Sequence, residues 1–115
     1  IEIVIDLHRD AASYSGNKGY TFTYNGKTGA QFSLVVGQNN ANINSLNTFA
    51  KQVIAKANEL YPGLGRSVIP KEYRDNEYVS DRYLLLELGN NQNTIEQVDY
   101  SASLLADVIA GVLPQ

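Results

Sequence analysis

A chain of 115 residues with 43% hydrophobic side chains has the size and composition of one globular domain, with enough apolar residues to build a core. Nine Lys and Arg residues against twelve Asp and Glu give a formal net charge of -3, and the basic residues are scattered, so no electrostatic footprint for nucleic acid is present. The absence of cysteine excludes disulfides, thiolate metal sites and cysteine nucleophiles, and no apolar run reaches the roughly 18 residues of a membrane span.

The chain opens without methionine on Ile1-Glu2-Ile3-Val4-Ile5. The β-branched run Ile1 to Leu7 predicts a strand, and a start inside a core strand is expected of a piece of a longer protein. Residues 11–19 carry Ser, Gly and Asn and read as a loop. The β-prone segment Tyr20 to Tyr24 is followed by Asn25-Gly26, which predicts a hairpin returning near Lys27 and Thr28, because both central residues of a type I′ turn need positive φ. Gln31 to Val36 predicts a further strand ended by Gly37, and the asparagines from Asn39 to Asn44 read as turn formers and a helix cap.

Leu46, Phe49, Ala50, Val53, Ile54, Ala57 and Leu60 recur at spacings of three and four, which predicts an amphipathic helix stopped by Pro62-Gly63. Val68-Ile69 suggests a short strand, and the charged, aperiodic segment from Lys71 to Asp81 a surface loop. The apolar run Tyr83 to Leu88 has the character of a strand covered on both faces. Thr94 with Gln97 makes a capping-box pattern that opens a last helix, with Val98, Ala102, Leu105, Ile109 and Val112 as its expected apolar stripe and Pro114 as its stop. Strands alternating with helices predict an α/β fold over residues 1–115: a largely parallel sheet, helices on both faces and a small β-hairpin insertion.

Ligands of open α/β sheets gather outside the carboxyl ends of the strands. His8 and Glu87 fall at or near such ends. Glu87 is the one ionisable residue in the most apolar strand, where a carboxylate is costly unless paired, hydrogen-bonded or put to use. Arg9 or Arg82 is the candidate structural partner for it. For His8 the residues alone leave two readings, a functional imidazole and an ordinary strand-end histidine. Asp6 lies two residues before His8, on the same face of an extended strand, as an orienting acceptor or a polar core residue. Ser13 and Ser15 lack the Gly-x-Ser-x-Gly elbow of a serine nucleophile. Gly63-Leu64-Gly65 ends a helix instead of opening one, the wrong context for a phosphate loop. The tyrosines at 14, 20, 24, 73, 78 and 83 are as suited to half-buried positions as to stacking on sugars.

The segment Ile5-Asp6-Leu7-His8-Arg9-Asp10-Ala11 resembles the first signature of the sporulation stage II protein P family, which belongs to the zinc-dependent N-acetylmuramoyl-L-alanine amidases. The segment from Leu84-Leu85-Leu86-Glu87-Leu88-Gly89 to Asn93-Thr94 is similar to that family's second motif. Asn25-Gly26-Lys27, Ala30-Gln31, Val35-Val36-Gly37, Tyr61-Pro62-Gly63-Leu64 and Ser103 to Ile109 follow the same pattern, so the resemblance covers nearly the whole chain in order.

The resemblance implies the C-terminal part of one amidase catalytic domain, an amidase-like fold incomplete at the N-terminus. It implies hydrolysis of the amide between N-acetylmuramic acid and L-alanine in peptidoglycan during spore formation, outside the cytoplasm at the cell wall or membrane of the sporulation septum. Zinc is the implied cofactor, with His8 as one metal ligand and Glu87 as the non-ligand catalytic carboxylate. Asp6, Arg9 and Asn76 are implied as supporting or substrate-contacting residues. His8 is the single histidine of the chain, so the family's other zinc ligands are expected upstream, as is any membrane anchor. The alternative is a degenerate amidase-like domain that binds peptidoglycan or a partner cell-wall hydrolase without cutting.

Overall fold

The computed structural model describes residues 3–10, 20–72, 83–90 and 92–113, with Arg9 and Asp10 described by their backbone alone. Six strands and two helices follow one another as β1 (Val4–Asp10), β2 (Thr21–Tyr24), β3 (Lys27–Ala30), β4 (Phe32–Gly37), α1 (Ile43–Leu60), β5 (Gly65–Lys71), β6 (Tyr83–Asn90) and α2 (Ile95–Val112). Four of the strands make one sheet in the order β1-β6-β4-β5, and β2 and β3 make a separate two-stranded ribbon. The outer pairs β1–β6 and β4–β5 are parallel, while the central pair β4–β6 is antiparallel. The fold is therefore α/β with a largely parallel sheet, as the alternation of strand and helix signals predicts.

Local chemistry explains most of the elements. The ribbon turns on Asn25 and Gly26, both at positive φ (50° and 77°), the backbone a type I′ turn demands. Helix α1 buries Leu46, Phe49, Ala50, Val53 and Ala57, the residues whose spacing predicts it. Asn42 stands at its N-cap but makes no side-chain capping bond, so its carboxamide does not serve there as an asparagine cap ordinarily does. At the other end Asn58 holds the turn into β5: its Oδ1 accepts from the Gly63 and Gly65 amides, and its Nδ2 donates to the Gly65 carbonyl. Strand β5 is longer than the Val68-Ile69 pair suggests because it is zipped to β4 through Lys71.

The opening of α2 is a complete capping box. Gln97 N donates to Thr94 Oγ1 and Thr94 N donates to Gln97 Oε1, each at 3.1 Å. The buried stripe of α2 is Ser101, Leu105 and Val108, rotated from the Val98-Ala102-Leu105-Ile109 stripe read from sequence. The rotation has a local cause. Gly29 of β3 lies against Ser101 and Tyr100, so the ribbon claims this side of the helix and leaves Ala102 exposed.

The two helices lie side by side. Tyr61, at the end of α1, donates from its hydroxyl to Asp107 of α2 at 2.6 Å, and Lys56 lies against Gly111. Ala102, Leu105, Ala106 and Ile109 of α2 face Ile5, Leu7, Leu86 and Leu88 of the sheet across an apolar cavity of about 360 Å³. Helices in mutual contact share one face, so among the described residues the opposite face carries no helix. This refines the expectation of helices on both faces.

One apolar cluster joins Phe22 of the ribbon, Phe32, Leu34, Val35 and Val36 of β4, the buried stripe of α1, Leu64, the leucines of β6, and Leu105 and Val108 of α2. Each such side chain contributes about 1.5–3 kcal/mol by leaving water. Strand β6 sits inside this cluster, with Leu84, Leu85, Leu86 and Leu88 all buried. Strand β1 differs. It is an outer strand of the described sheet, and its Ile5 and Leu7 remain 45% and 62% exposed.

Candidate functional site

Strand register decides which side chains meet. His8 pairs with Glu87 across the parallel β1–β6 ladder, Glu87 pairs with Ser33 across β6–β4, and Ser33 pairs with Ser67 across β4–β5. Residues in register lie about 5 Å apart and point to the same side. His8, Glu87, Ser33 and Ser67 therefore form one polar row across all four strands. The row lies on the face away from Leu84, Leu86 and Leu88, because side chains alternate along a strand. Ser33 is buried and its hydroxyl lies 3.3 Å from that of Ser67, so that end of the row is satisfied within itself.

The histidine belongs to β1 rather than following it, since the strand continues to Asp10. Its side chain is about half exposed, and its Nε2 lies 2.8 Å from Asp6 Oδ1. Asp6 Oδ2 accepts a second bond of 2.8 Å from the Tyr83 hydroxyl. His8 also borders a cavity of about 300 Å³ with Leu7, Leu88 and Val98. Glu87 is half-buried where its neighbours in β6 are buried, and it is engaged in an interaction of its own. The lone carboxylate of an apolar strand thus reaches partial exposure because it faces the polar row instead of the helices.

The register changes just beyond this pair. His8 opposes Glu87 but Asp10 opposes Asn90, so Leu88 and Gly89 together face Arg9. This bulge rests on Gly89 at φ 67°, a conformation that side chains resist. It also re-aims the end of β6 into a tightly bonded turn. Asn93 Oδ1 accepts from the Asn90 amide at 2.8 Å and the Tyr20 amide at 3.2 Å, while its Nδ2 donates to the Tyr20 carbonyl and to Gln97 Oε1. Asn90 Oδ1 accepts from the Gln92 amide. Of the segment Glu87 to Thr94, the glycine, two asparagines and the threonine are thus accounted for by the backbone they hold.

Tyr83 is one of the six tyrosines whose role the sequence leaves open. The signal was its place at the head of a buried strand, where a phenol needs a partner. Other tyrosines have structural contacts: Tyr24 meets Tyr61 edge-on at 4.9 Å between ring centres, and Tyr20 lies under the Arg66 guanidinium at 3.8 Å. Hydrogen bonding to Asp107, then burial, push the Tyr61 phenol up to about 12. The Arg9 side chain, Arg82 and Asn76 lie outside the described residues, as do Ser13, Ser15, Tyr14, Tyr73 and Tyr78.

For a metal, the described residues offer one candidate ligand and not a full site. Among them no three His, Asp and Glu side chains are grouped to hold an ion. His8 has the form of a single ligand, an exposed imidazole with its second nitrogen held by a carboxylate, which is how metal-bound histidines are ordinarily supported. A zinc ion would need its remaining ligands from elsewhere.

The fold and the row define a mixed α/β domain with an imidazole and a carboxylate side by side near the carboxyl ends of adjacent strands. Residues 1–110 match the family model of stage II sporulation protein P, and the chain belongs to that family. It is 31% identical over 115 residues to the stage II sporulation protein P of Bacillus subtilis (strain 168), across 96% of this chain and 28% of that protein. The chain therefore spans little more than a quarter of that relative's length. No solved structure matches it. Membership places the chain in a family of sporulation proteins. Among the described residues no helix is long and apolar enough to cross a membrane.

Proposed function

We propose that the chain supplies part of the active site of a peptidoglycan amidase, a hydrolase that cuts the bond between N-acetylmuramic acid and L-alanine during spore formation. The observation that carries this reading is the register pairing of His8 with Glu87 on one face of the sheet. In this reading His8 is one ligand of a zinc ion, completed by residues outside those described here. Bound zinc would supply an acidified water and a polarised carbonyl. Glu87 takes the proton of the attacking water and passes it to the departing alanine nitrogen, acting first as general base and then as general acid. A half-buried carboxylate near a strand end suits this role, because it is partly shielded from water yet still open to a ligand. Asp6 holds the imidazole. Arg9 and Asn76 are assigned to contacts with the acidic stem peptide or neighbouring carboxylates. The enzyme acts outside the cytoplasm, at the wall or membrane of the sporulation septum.

The test is metal content in the whole protein from which this chain comes. Zinc should bind stoichiometrically to the unaltered protein and be lost in His8→Ala, with the fold retained by circular dichroism. Stoichiometric zinc undiminished in His8→Ala would remove His8 from the site. Absence of zinc from the unaltered protein would replace the amidase by a domain that binds the wall without cutting.

A further inference from the structure

The single histidine of the chain is gripped from the buried side of its own site. Tyr83 is only 4% exposed, at the first position of β6, and pairs in register with Val4. Its side chain reaches along the sheet face to Asp6, two residues further up β1. Asp6 in turn reaches His8, another two residues up the same strand. The three side chains share one face and form a relay that starts in the interior and ends at a half-exposed ring.

The chemistry of that relay fixes a proton. An ionised carboxylate only accepts hydrogen bonds, and here one oxygen accepts from the phenol and the other faces His8 Nε2 at 2.8 Å. Nε2 must then carry hydrogen, and a neutral imidazole protonated there has its lone pair on Nδ1. Among the described residues Nδ1 has no hydrogen-bond partner. With both carboxylate oxygens engaged, Asp6 loses the freedom to swing away or to turn its second oxygen on another donor.

We infer that Tyr83 is a positioning residue of the His8 site: through Asp6 it locks the imidazole as the Nε2–H tautomer and makes Nδ1 the electron-pair donor that His8 offers. The inference rests on His8 being a site residue, and it adds which atom acts and which buried side chain selects it. Tyr83 does not touch the reacting atoms. It acts through two hydrogen bonds, so its effect is on the tautomer and orientation of a ring about half in solvent.

The experiment is long-range proton–nitrogen correlation NMR on the whole protein from which this chain comes, stripped of metal, labelled with ¹⁵N-histidine and recorded at alkaline pH on the neutral ring. The His8 spin system is assigned by its loss in His8→Ala. The expected spectrum shows a protonated, pyrrole-type Nε2 and a pyridine-type Nδ1, with the other tautomer disfavoured roughly tenfold or more by the charge-assisted bond. Tyr83→Phe keeps the ring volume and the buried contacts but removes the hydroxyl. It should shift both nitrogen resonances toward the tautomer mixture of an unrestrained histidine peptide, and Asp6→Asn should shift them further. Circular dichroism checks that each variant is folded, and where Tyr83→Phe is not, 4-aminophenylalanine at the same position supplies a weaker, neutral donor in place of the phenol. A pyrrole-type Nδ1 in the unaltered chain, or a tautomer ratio unmoved by any folded Tyr83 variant, overturns the inference. The readout involves neither zinc nor peptidoglycan, so failure of the amidase reading shows in metal content and cleavage while failure of the relay shows in the spectrum.

Discussion

Gly89 is where the fold and the candidate site meet, and its replacement by alanine separates two costs that are usually merged. The residue sits at φ 67°, and a Cβ built there would approach Asn93 Oδ1 to 2.5 Å and Ala30 Cβ to 3.1 Å. Gly26 supplies the control, because it has φ 77° and nothing within 4 Å of the same added atom. Gly26→Ala therefore bears only the left-handed backbone penalty, about 1–2 kcal/mol. Gly89→Ala bears that penalty and also displaces Asn93, whose Oδ1 accepts two backbone amides worth about 1 kcal/mol each. The expected loss is about 3–4 kcal/mol, some 2 kcal/mol beyond the control. Urea unfolding at unchanged slope measures both values. In an Asn93→Ala background the excess should largely vanish, since the obstructing carboxamide has gone. Equal losses for Gly26→Ala and Gly89→Ala would refute the argument, and so would an excess that persists without Asn93.

Two further outcomes follow from single groups. Ser101 is fully buried and its hydroxyl has no hydrogen-bond partner among the described residues, so Ser101→Ala should be neutral or stabilising by up to about 1 kcal/mol in the same unfolding assay; a loss above that size would reveal a bond the structure lacks. Tyr61 has a folded-state pKa raised from 10.0 to about 12 by its bond to Asp107. A raised phenol favours the protonated folded form, so its contribution is fully present below pH 10 and is lost as pH climbs through about 12. The stability gap between the unaltered chain and Tyr61→Phe should stay constant up to pH 10 and close above it, and a gap that widens instead would reverse the sign assigned to this bond.

The sequence is most legible where one residue type has one physical use. Asn25-Gly26 predicts a type I′ turn because few other pairs tolerate two positive φ values, and the ribbon turns there. Thr94 and Gln97 predict a capping box, and both of its bonds form. The spacing from Leu46 to Leu60 predicts α1 because an apolar stripe at that period has no other shape to fill. Reading fails where the partner is remote in sequence. The stripe of α2 is rotated by the ribbon, whose Gly29 closes on Ser101 from 72 positions away, and no local pattern carries that contact. The antiparallel centre of the sheet, β4 against β6, is likewise invisible in a string of alternating strands and helices.

For the site, the unevenness has the same origin. Glu87 stands out in sequence because a carboxylate in an apolar strand needs a reason. His8 does not stand out, and its pairing with Glu87, 79 positions further on, is a matter of how β1 and β6 align in register. Ser33 and Ser67 join the same row through two more ladders and carry no signal of their own. Tyr83 reads as an ordinary aromatic at a strand start until Asp6 is seen within reach of its hydroxyl. The asparagines after Gly89 are the converse case. They have the look of a polar functional loop, and the structure uses Asn90 and Asn93 to tie down the turn that ends β6.

If Glu87 performs proton transfer beside a metal held in part by His8, removing its charge must stop cleavage without releasing the metal. Stem-peptide release from peptidoglycan by the whole protein carrying Glu87→Gln, with zinc content measured on the same sample, tests it most directly. The variant should be folded and keep its zinc, with release reduced by about a hundredfold or more, the scale of losing a general acid–base. Release that continues at the unaltered rate in the folded, zinc-loaded variant would contradict it.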